Sequence, residues 1–403
     1  MSLETAADNL ANRLRSMEYV EMYSHYDADG IAAAAILSIA LSRADIAFKL
    51  RILPGIHADD VENPEISLLC DFGASCTDLA DNTMIIDHHV PYNTSPYHVN
   101  PRLEGENGET GLSAAGCAFI VANALGDNRD LAGLVMLGII GDSQALIGRN
   151  AAIIGDAVEN NLINPGHGTL LAGRTAKEQI SAALHPYLPG LSGNDTAAAE
   201  IEAACTGKIS DEAYTTSMLS RIIAETDAPY EALLKLYGES WHLEREVIHD
   251  AHAFTAVTDA CGKSGKCDVA YALCCGDISY LEEAWDTAVA YRREVISAVR
   301  SAEQILDKPQ VWRVNNMKAV SYASDILLES ANCPVFVIGR RDDSLWISAR
   351  APGNSATDLE TIMRSTADAC GGTGGGHRTR AGGEIPADRE TEFLKTLETA
   401  VCA

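Results

Sequence analysis

The stretch "VEMYSHYDADGIAAAAILSIAL", Val20–Leu41, decides the fold class. It reads as a β-strand ending in a polar, acidic loop, followed by an alanine-rich helix. A second strand, "FKLRILPG", comes directly after it. Two further apolar runs, "EISLLCDFG" and "TMIIDHH", each end in acid. A plausible helix, "TGLSAAGCAFIVANAL", leads into "LAGLVMLGIIGDSQ". Strands alternating with helices predict an α/β domain on a parallel sheet with helices on both faces. In open α/β sheets, ligands bind beyond the carboxyl ends of the strands. Every polar cluster in this region is read as lying at such an end.

There are four such clusters: His25, Asp27 and Asp29; Asp71; Asp87, His88 and His89; and Asp142. Adjacent residues on a strand point to opposite faces, so the Asp87–His89 run serves one site only where the strand stops and the backbone turns. A parallel sheet would gather all four clusters at one edge. Aspartates converging without cations repel one another, and some would have to stay protonated. Two divalent metals remove that conflict, and mixed Asp/His ligands with oxygen in the majority suit Mn²⁺, with Mg²⁺ or Zn²⁺ less well matched.

The remaining composition is that of a globular chain: 403 residues, 47% hydrophobic, net charge −27. The longest apolar stretches are shorter than the ~20 residues needed to span a bilayer. The N-terminal "MSLETAADNLANRL" has neither the basic nor the apolar region of a signal peptide. Eleven cysteines, mostly inside apolar strings, point to reduced thiols and a cytoplasmic location. Cys261, Cys267, Cys274 and Cys275 lack the paired spacing of structural zinc sites. So acidic a chain repels nucleic acid at long range, which argues against a sequence-specific binder more than against an enzyme. The "CGKSGK" segment contains the GKS of a phosphate-binding loop. Val257 stands where that loop needs its first glycine, which removes the NTPase reading.

Along the chain, residues 1–180 form the first α/β domain, 181–306 a largely helical connector, and 307–403 a smaller α/β domain. In the connector "CDVAYALCCGD" reads as strand-like, and "YLEEAWDTAVAYRREVISAVRSAEQIL" reads as one long helix. The last domain contains "VWRVNNMKAV", "CPVFVIGRR", "SLWISAR" and the glycine-rich "GGTGGGHRTRAGG". Gly374, Gly375 and Gly376 let backbone N–H groups approach an anion, and His377 adds a donor. Six arginines against five acids between Gly339 and Arg380 make this segment nearly neutral on an acidic chain.

In order, "HYDADG", "DFG", "DHH" and "GDS" resemble the four motifs of the DHH phosphoesterase superfamily. The glycine-rich run resembles the closing motif of its DHH-associated domain. Together they span about Val20 to Pro386. Val257–Asp277 is similar to a segment of archaeal RecJ-like exonucleases, including the GINS-associated nucleases. The resemblance implies an active site in an interdomain cleft around two Mn²⁺ ions, with Mg²⁺ as the substitute. His25 and Asp27 would hold one ion, Asp29, His88 and Asp142 the other, and Asp71 would bridge them. His89 would face the substrate phosphate, and Asp87 would support the turn and orient its neighbours. Arg350 falls where the family places a substrate-contacting arginine at a strand end, and Gly374–Gly376, His377 and Arg378 are the other candidate substrate-binding residues. Lys263 and Lys266 are further candidates for contact with a nucleic-acid backbone.

The leading expectation is a Mn²⁺-dependent exonuclease on single-stranded DNA or RNA. The alternatives are a small-substrate phosphodiesterase acting on very short oligonucleotides, cyclic dinucleotides or nucleotide bisphosphates, and a replisome scaffold partnered by a GINS-type protein. No membrane association is expected.

Overall fold

In the computed structural model, which describes residues 2–93, 95–205 and 212–402, Ser2 caps a first helix, α1 (Leu3–Arg15). β1 (Tyr19–His25), α2 (Ala28–Arg43) and β2 (Ala47–Leu53) then form the strand–loop–helix–strand unit expected from the sequence. Asp27 makes the turn. Its backbone is extended and its carboxylate accepts the Gly30 amide at 3.0 Å, so the strand stops and α2 starts. α2 is buried nearly continuously from Ala28 to Leu41, as befits a helix inside a core rather than on its surface. β3 (Ser67–Cys70), β4 (Met84–Ile86) and β5 (His98–Val99) complete a five-stranded sheet of order β2-β1-β3-β4-β5. All its pairings are parallel.

α3 (Ala114–Leu125), α4 (Ala132–Gly141) and α5 (Gly148–Glu159) follow. Here one expectation is corrected: Asp142 does not end a strand but caps the C-terminus of α4. The run "LAGLVMLGIIG" is buried without a break from Leu131 to Ile139, and periodicity alone cannot tell a buried helix from a buried strand.

Next come β6 (Ile163–Thr169), α6 (Ala176–Ser181), α7 (Asp195–Ala204), α8 (Glu212–Glu225), α9 (Tyr230–Leu233) and β7 (Tyr237–Leu243). α10 (Ala251–Lys263), α11 (Cys267–Cys274) and α12 (Leu281–Arg300) follow. "CDVAYALCC" is therefore helical, not a strand. β6 and β7 pair into a two-stranded sheet, and β7 falls within the connector read as largely helical. The long helix stops at Arg300, and Glu303–Leu306 is strand β8.

β9 (Gln310–Val314), α13 (Val320–Glu329), β10 (Val335–Arg341), β11 (Ser344–Arg350), α14 (Leu359–Ala369), β12 (Thr373–Gly376), β13 (Arg380–Pro386) and α15 (Glu390–Cys402) complete the chain. The second sheet has six strands in the order β12-β13-β11-β10-β9-β8. Val311, Phe336, Ile338, Ile347, Met363 and Phe393 pack on one side of it. Val314, Val320, Val335 and Val337 form a separate cluster. Two compact units result: residues 1–172 with 238–288, and residues 173–237 with 289–403. Among the described residues no helix is long and apolar enough to cross a membrane. The described cysteines are free thiols, and none joins a group able to hold a metal ion.

Candidate metal centre

Three strand ends and one helix end build the site in the first unit. His25 closes β1, Asp27 and Asp29 lie on the turn into α2, Asp71 follows β3, and Asp87–His89 follow β4. Asp71 adopts a left-handed backbone, φ +62°, which turns the chain sharply off the sheet and is uncommon outside glycine, asparagine and aspartate.

Asp71 faces both ways. Its Oδ2 lies 3.3 Å from His25 Nδ1, which is 3.0 Å from Asp27 Oδ2. Its Oδ1 lies 3.5 Å from His88 Nε2, which is 3.2 Å from Asp142 Oδ2 and 3.8 Å from Asp29 Oδ2. His25, Asp27 and Asp71 thus form one group of converging donor atoms, and Asp29, His88 and Asp142 another. Asp71 Oδ1 and His88 Nε2 are buried without a hydrogen-bond partner among the described residues. Burial, then the Asp71 and Asp142 charges, push the Asp29 carboxyl well above the usual carboxylate range. Burial, then Asp27, raises Asp71 as well. Burial opposes a charge on His25 and His88, but the surrounding carboxylates prevail and raise both. Orphaned buried donors among mutually repelling carboxylates fit divalent cations.

The candidate ligands are held from behind. Asp29 accepts the Ala114 and Ala115 amides, each at 2.7 Å, at the N-terminus of α3, where the helix dipole favours an anion. His88 Nδ1 donates to the Gly108 carbonyl at 2.7 Å, which leaves Nε2 as the lone-pair atom facing the carboxylates. Gln144 donates to the Gly108 and Leu112 carbonyls, and Asn150 donates to Gln144 Oε1 at 2.8 Å. Arg102 Nε donates to the His88 carbonyl. Gln144, Asn150, Gly108 and Arg102 escaped sequence reasoning because they touch a ligand or its support only in space.

Asp87 is placed differently from the ligands. It accepts the Ala74, His88 and His89 amides and the His89 imidazole, the last at 2.8 Å. Although its oxygens come close enough to join a group with Asp71, His88 and His89, the backbone already occupies them. Burial would raise its carboxyl, but His89 and His88 hold it below the usual range. The His89 side chain remains 40% exposed. Lys263, at the end of α10, pairs with Asp259 at 2.7 Å, and its charge is felt by Asp27. Lys266 pairs with Glu283 at 2.9 Å.

In the second unit the glycine-rich run is the β12–β13 hairpin rather than a free loop. A Cβ on Gly374 would come 2.4 Å from the Met363 carbonyl, and one on Gly376 would come 2.6 Å from the Arg380 carbonyl. Those two glycines are needed for packing. Only Gly375 has an open face, with Arg364 Nη2 its nearest neighbour at 3.6 Å. The His377 amide donates to the Arg380 carbonyl, and exposed Arg378 donates to the Ser355 carbonyl. Arg350 lies at the end of β11, 8% exposed and paired with Asp325.

A parallel α/β sheet with two groups of candidate metal ligands at its carboxyl edge, followed by a second α/β unit with a glycine hairpin, is the arrangement of the DHH proteins. The chain belongs to the DHH superfamily: residues 20–139 match the DHH family N-terminal domain and residues 310–402 match the DHHA1 domain. An uncharacterized protein of Methanocaldococcus jannaschii is 24% identical over 412 residues, covering 95% of this chain and 93% of its own. Among solved structures, RecJ from Thermus thermophilus in complex with Mn²⁺ is similar at TM-score 0.61 and 18% identity. The match covers 99% of this chain and 54% of that one, so this chain spans about half of that RecJ. An exonuclease RecJ bound to manganese has TM-score 0.59 and 17% identity over 100% of this chain and 94% of its own. CDC45 from Entamoeba histolytica has TM-score 0.63 and 11% identity over 100% and 99%. These structures share the fold.

Proposed function

We propose that the chain is a divalent-metal-dependent phosphodiester hydrolase that removes nucleotides from single-stranded DNA or RNA. The observation that carries this reading is Asp71, whose two oxygens face two separate groups of ligand atoms. His25, Asp27 and Asp71 would hold one ion; Asp29, His88, Asp142 and Asp71 would hold the other, with Mn²⁺ preferred and Mg²⁺ as the substitute. Bound there, the ions would supply the positive charge that polarises a phosphate and acidifies water.

The chain's own groups do the rest. Asp87 fixes the His89 ring through Nδ1, and the ring so oriented would bind the phosphate or give a proton to the leaving oxygen. Lys263 adds a cation beside Asp27. The open face of Gly375 offers a close approach for a phosphate in the second unit. Complete ligand groups weigh against a purely scaffolding role beside a GINS-type replication protein. The net charge of −27 favours a second reading, a phosphodiesterase confined to short substrates.

End-labelled oligonucleotides from dinucleotide to long single strand, incubated with Mn²⁺, separate the two. Stepwise loss of mononucleotides from long strands is expected. Cleavage restricted to the shortest substrates would refute the exonuclease.

A further inference from the structure

Arg350 is fully occupied. Its Nε donates to Asp325 Oδ1 at 2.6 Å, and Nη2 donates to Ser321 Oγ at 2.9 Å and Asp325 Oδ2 at 3.3 Å. Nη1 donates to Ser348 Oγ at 2.9 Å and the Ala349 carbonyl at 3.1 Å. A guanidinium has five N–H groups, and all five are engaged at a side chain only 8% exposed. To grip a ligand phosphate, Arg350 would have to release some of these charge-assisted bonds.

Across the ladder the situation is reversed. β11 and β13 are antiparallel neighbours, and the residue in register with Arg350 is Arg380. Arg380 reaches the same Asp325 carboxylate through Nη2 alone, at 3.0 and 3.1 Å. Its Nε and Nη1 have no partner among the described residues, and its side chain is 43% exposed. Burial would raise the Asp325 carboxyl, but Arg350 and Arg380 hold it at about 2, so the cluster is two cations around one anion. One positive charge is left over, and it lies on the outer arginine. The backbone of that arginine closes the turn to His377, directly beside the glycine hairpin.

We infer that Arg380, and not Arg350, binds a substrate phosphate in the second unit, with Arg350 and Asp325 as the brace that fixes its guanidinium. The inference rests on the phosphoester-hydrolase reading and names the residue that recognises the anion. A guanidinium anchored at one nitrogen keeps its other edge for two non-bridging phosphate oxygens, with no rotamer search left to make. Lysine cannot reproduce that fork.

The test uses the full chain and measures anisotropy of a labelled single strand and a labelled dinucleotide in EDTA, with inorganic phosphate as competitor, beside steady-state kinetics with Mn²⁺. Arg380→Ala should weaken binding by about tenfold to hundredfold, with the loss falling on KM more than on kcat. Arg380→Lys should recover part of it. Asp325→Asn, which drops the anchoring charge and keeps only one of the two acceptor oxygens, should weaken binding in the same direction by a smaller factor. Thermal melting of each variant separates these losses from a mere staple between β13 and α13. A staple lowers the melting temperature and leaves affinity for every probe at the wild-type value, and that result overturns the inference. If the wild-type protein hydrolyses only the dinucleotide and its affinity depends on Arg380, the exonuclease reading fails and this one stands. If no probe shows Arg380-dependent affinity, this one fails whatever the substrate proves to be.

Discussion

Replacing Gly138 by alanine adds one methyl group to α4 and should disable the site without touching a ligand. In an ordinary helix interior the change stabilises by roughly 0.5–1 kcal/mol. Gly155 in α5, with nothing within 4 Å of an added Cβ, should behave that way. At Gly138 the new carbon would stand 2.0 Å from Asp29 Oδ1 and 2.7 Å from Ser113 Oγ. The Asp29 carboxylate cannot step aside freely, because it is 1% exposed and held by two amides at 2.7 Å. Overpacking costs about 1–3 kcal/mol. Less the helix gain, that leaves Gly138→Ala less stable than the wild type by roughly 0–2.5 kcal/mol. A displaced ligand should cost about tenfold to hundredfold in metal affinity, the scale seen when ligand orientation is lost. Urea melts of the two alanine variants in EDTA, followed by Mn²⁺ titration calorimetry, give both numbers. If Gly138→Ala is as stable as Gly155→Ala and binds Mn²⁺ like the wild type, the packing argument for Asp29 is wrong.

Two further substitutions follow. Asp71→Asn should keep the fold, since asparagine tolerates the φ of +62°, and should melt no lower than the wild type in EDTA because one of several repelling carboxylates is gone. Hydrolysis should be lost with it; retained turnover would refute the bridging role. Burial raises the Glu246 carboxyl to about 7 from an ordinary 4.5. Between those values the folded state binds the extra proton, so stability should fall as pH rises from about 4.5 to 7 and level off above. Glu246→Gln should remove that slope, about 3 kcal/mol at most, from melts recorded across the window. An unchanged slope would show that Glu246 is not the group responsible.

How much of this was readable beforehand depends on which residues do the signalling. His25, Asp71 and Asp87 each end an apolar run, and an ionisable side chain at such an end stands out in the sequence although Asp71 and Asp87 are buried in the fold. Those three ends were therefore visible as local composition. Asp142 carried the same signal although it ends a helix, because α4 is apolar on every face and shows no helical stripe. β6 went unseen since "INPGHGT" carries Pro165, Gly166 and Gly168, residues that weaken strands in the absence of a partner. The saturation of Arg350 was beyond reach, as its partners Ser321 and Asp325 come from α13 and only folding brings them close.

The anchoring of Asp29 on the first turn of α3 bears on how ligand-removal experiments are interpreted. Alanine at that position takes away a donor atom and also strips two backbone amides of their acceptor, so lost turnover would mix a chemical defect with a frayed helix. Asp142 carries no such second duty: its carboxylate meets His88 and caps no helix with its side chain. An inactive Asp142 variant therefore reports on the centre alone. The two substitutions look equivalent on paper but only one of them is a clean experiment.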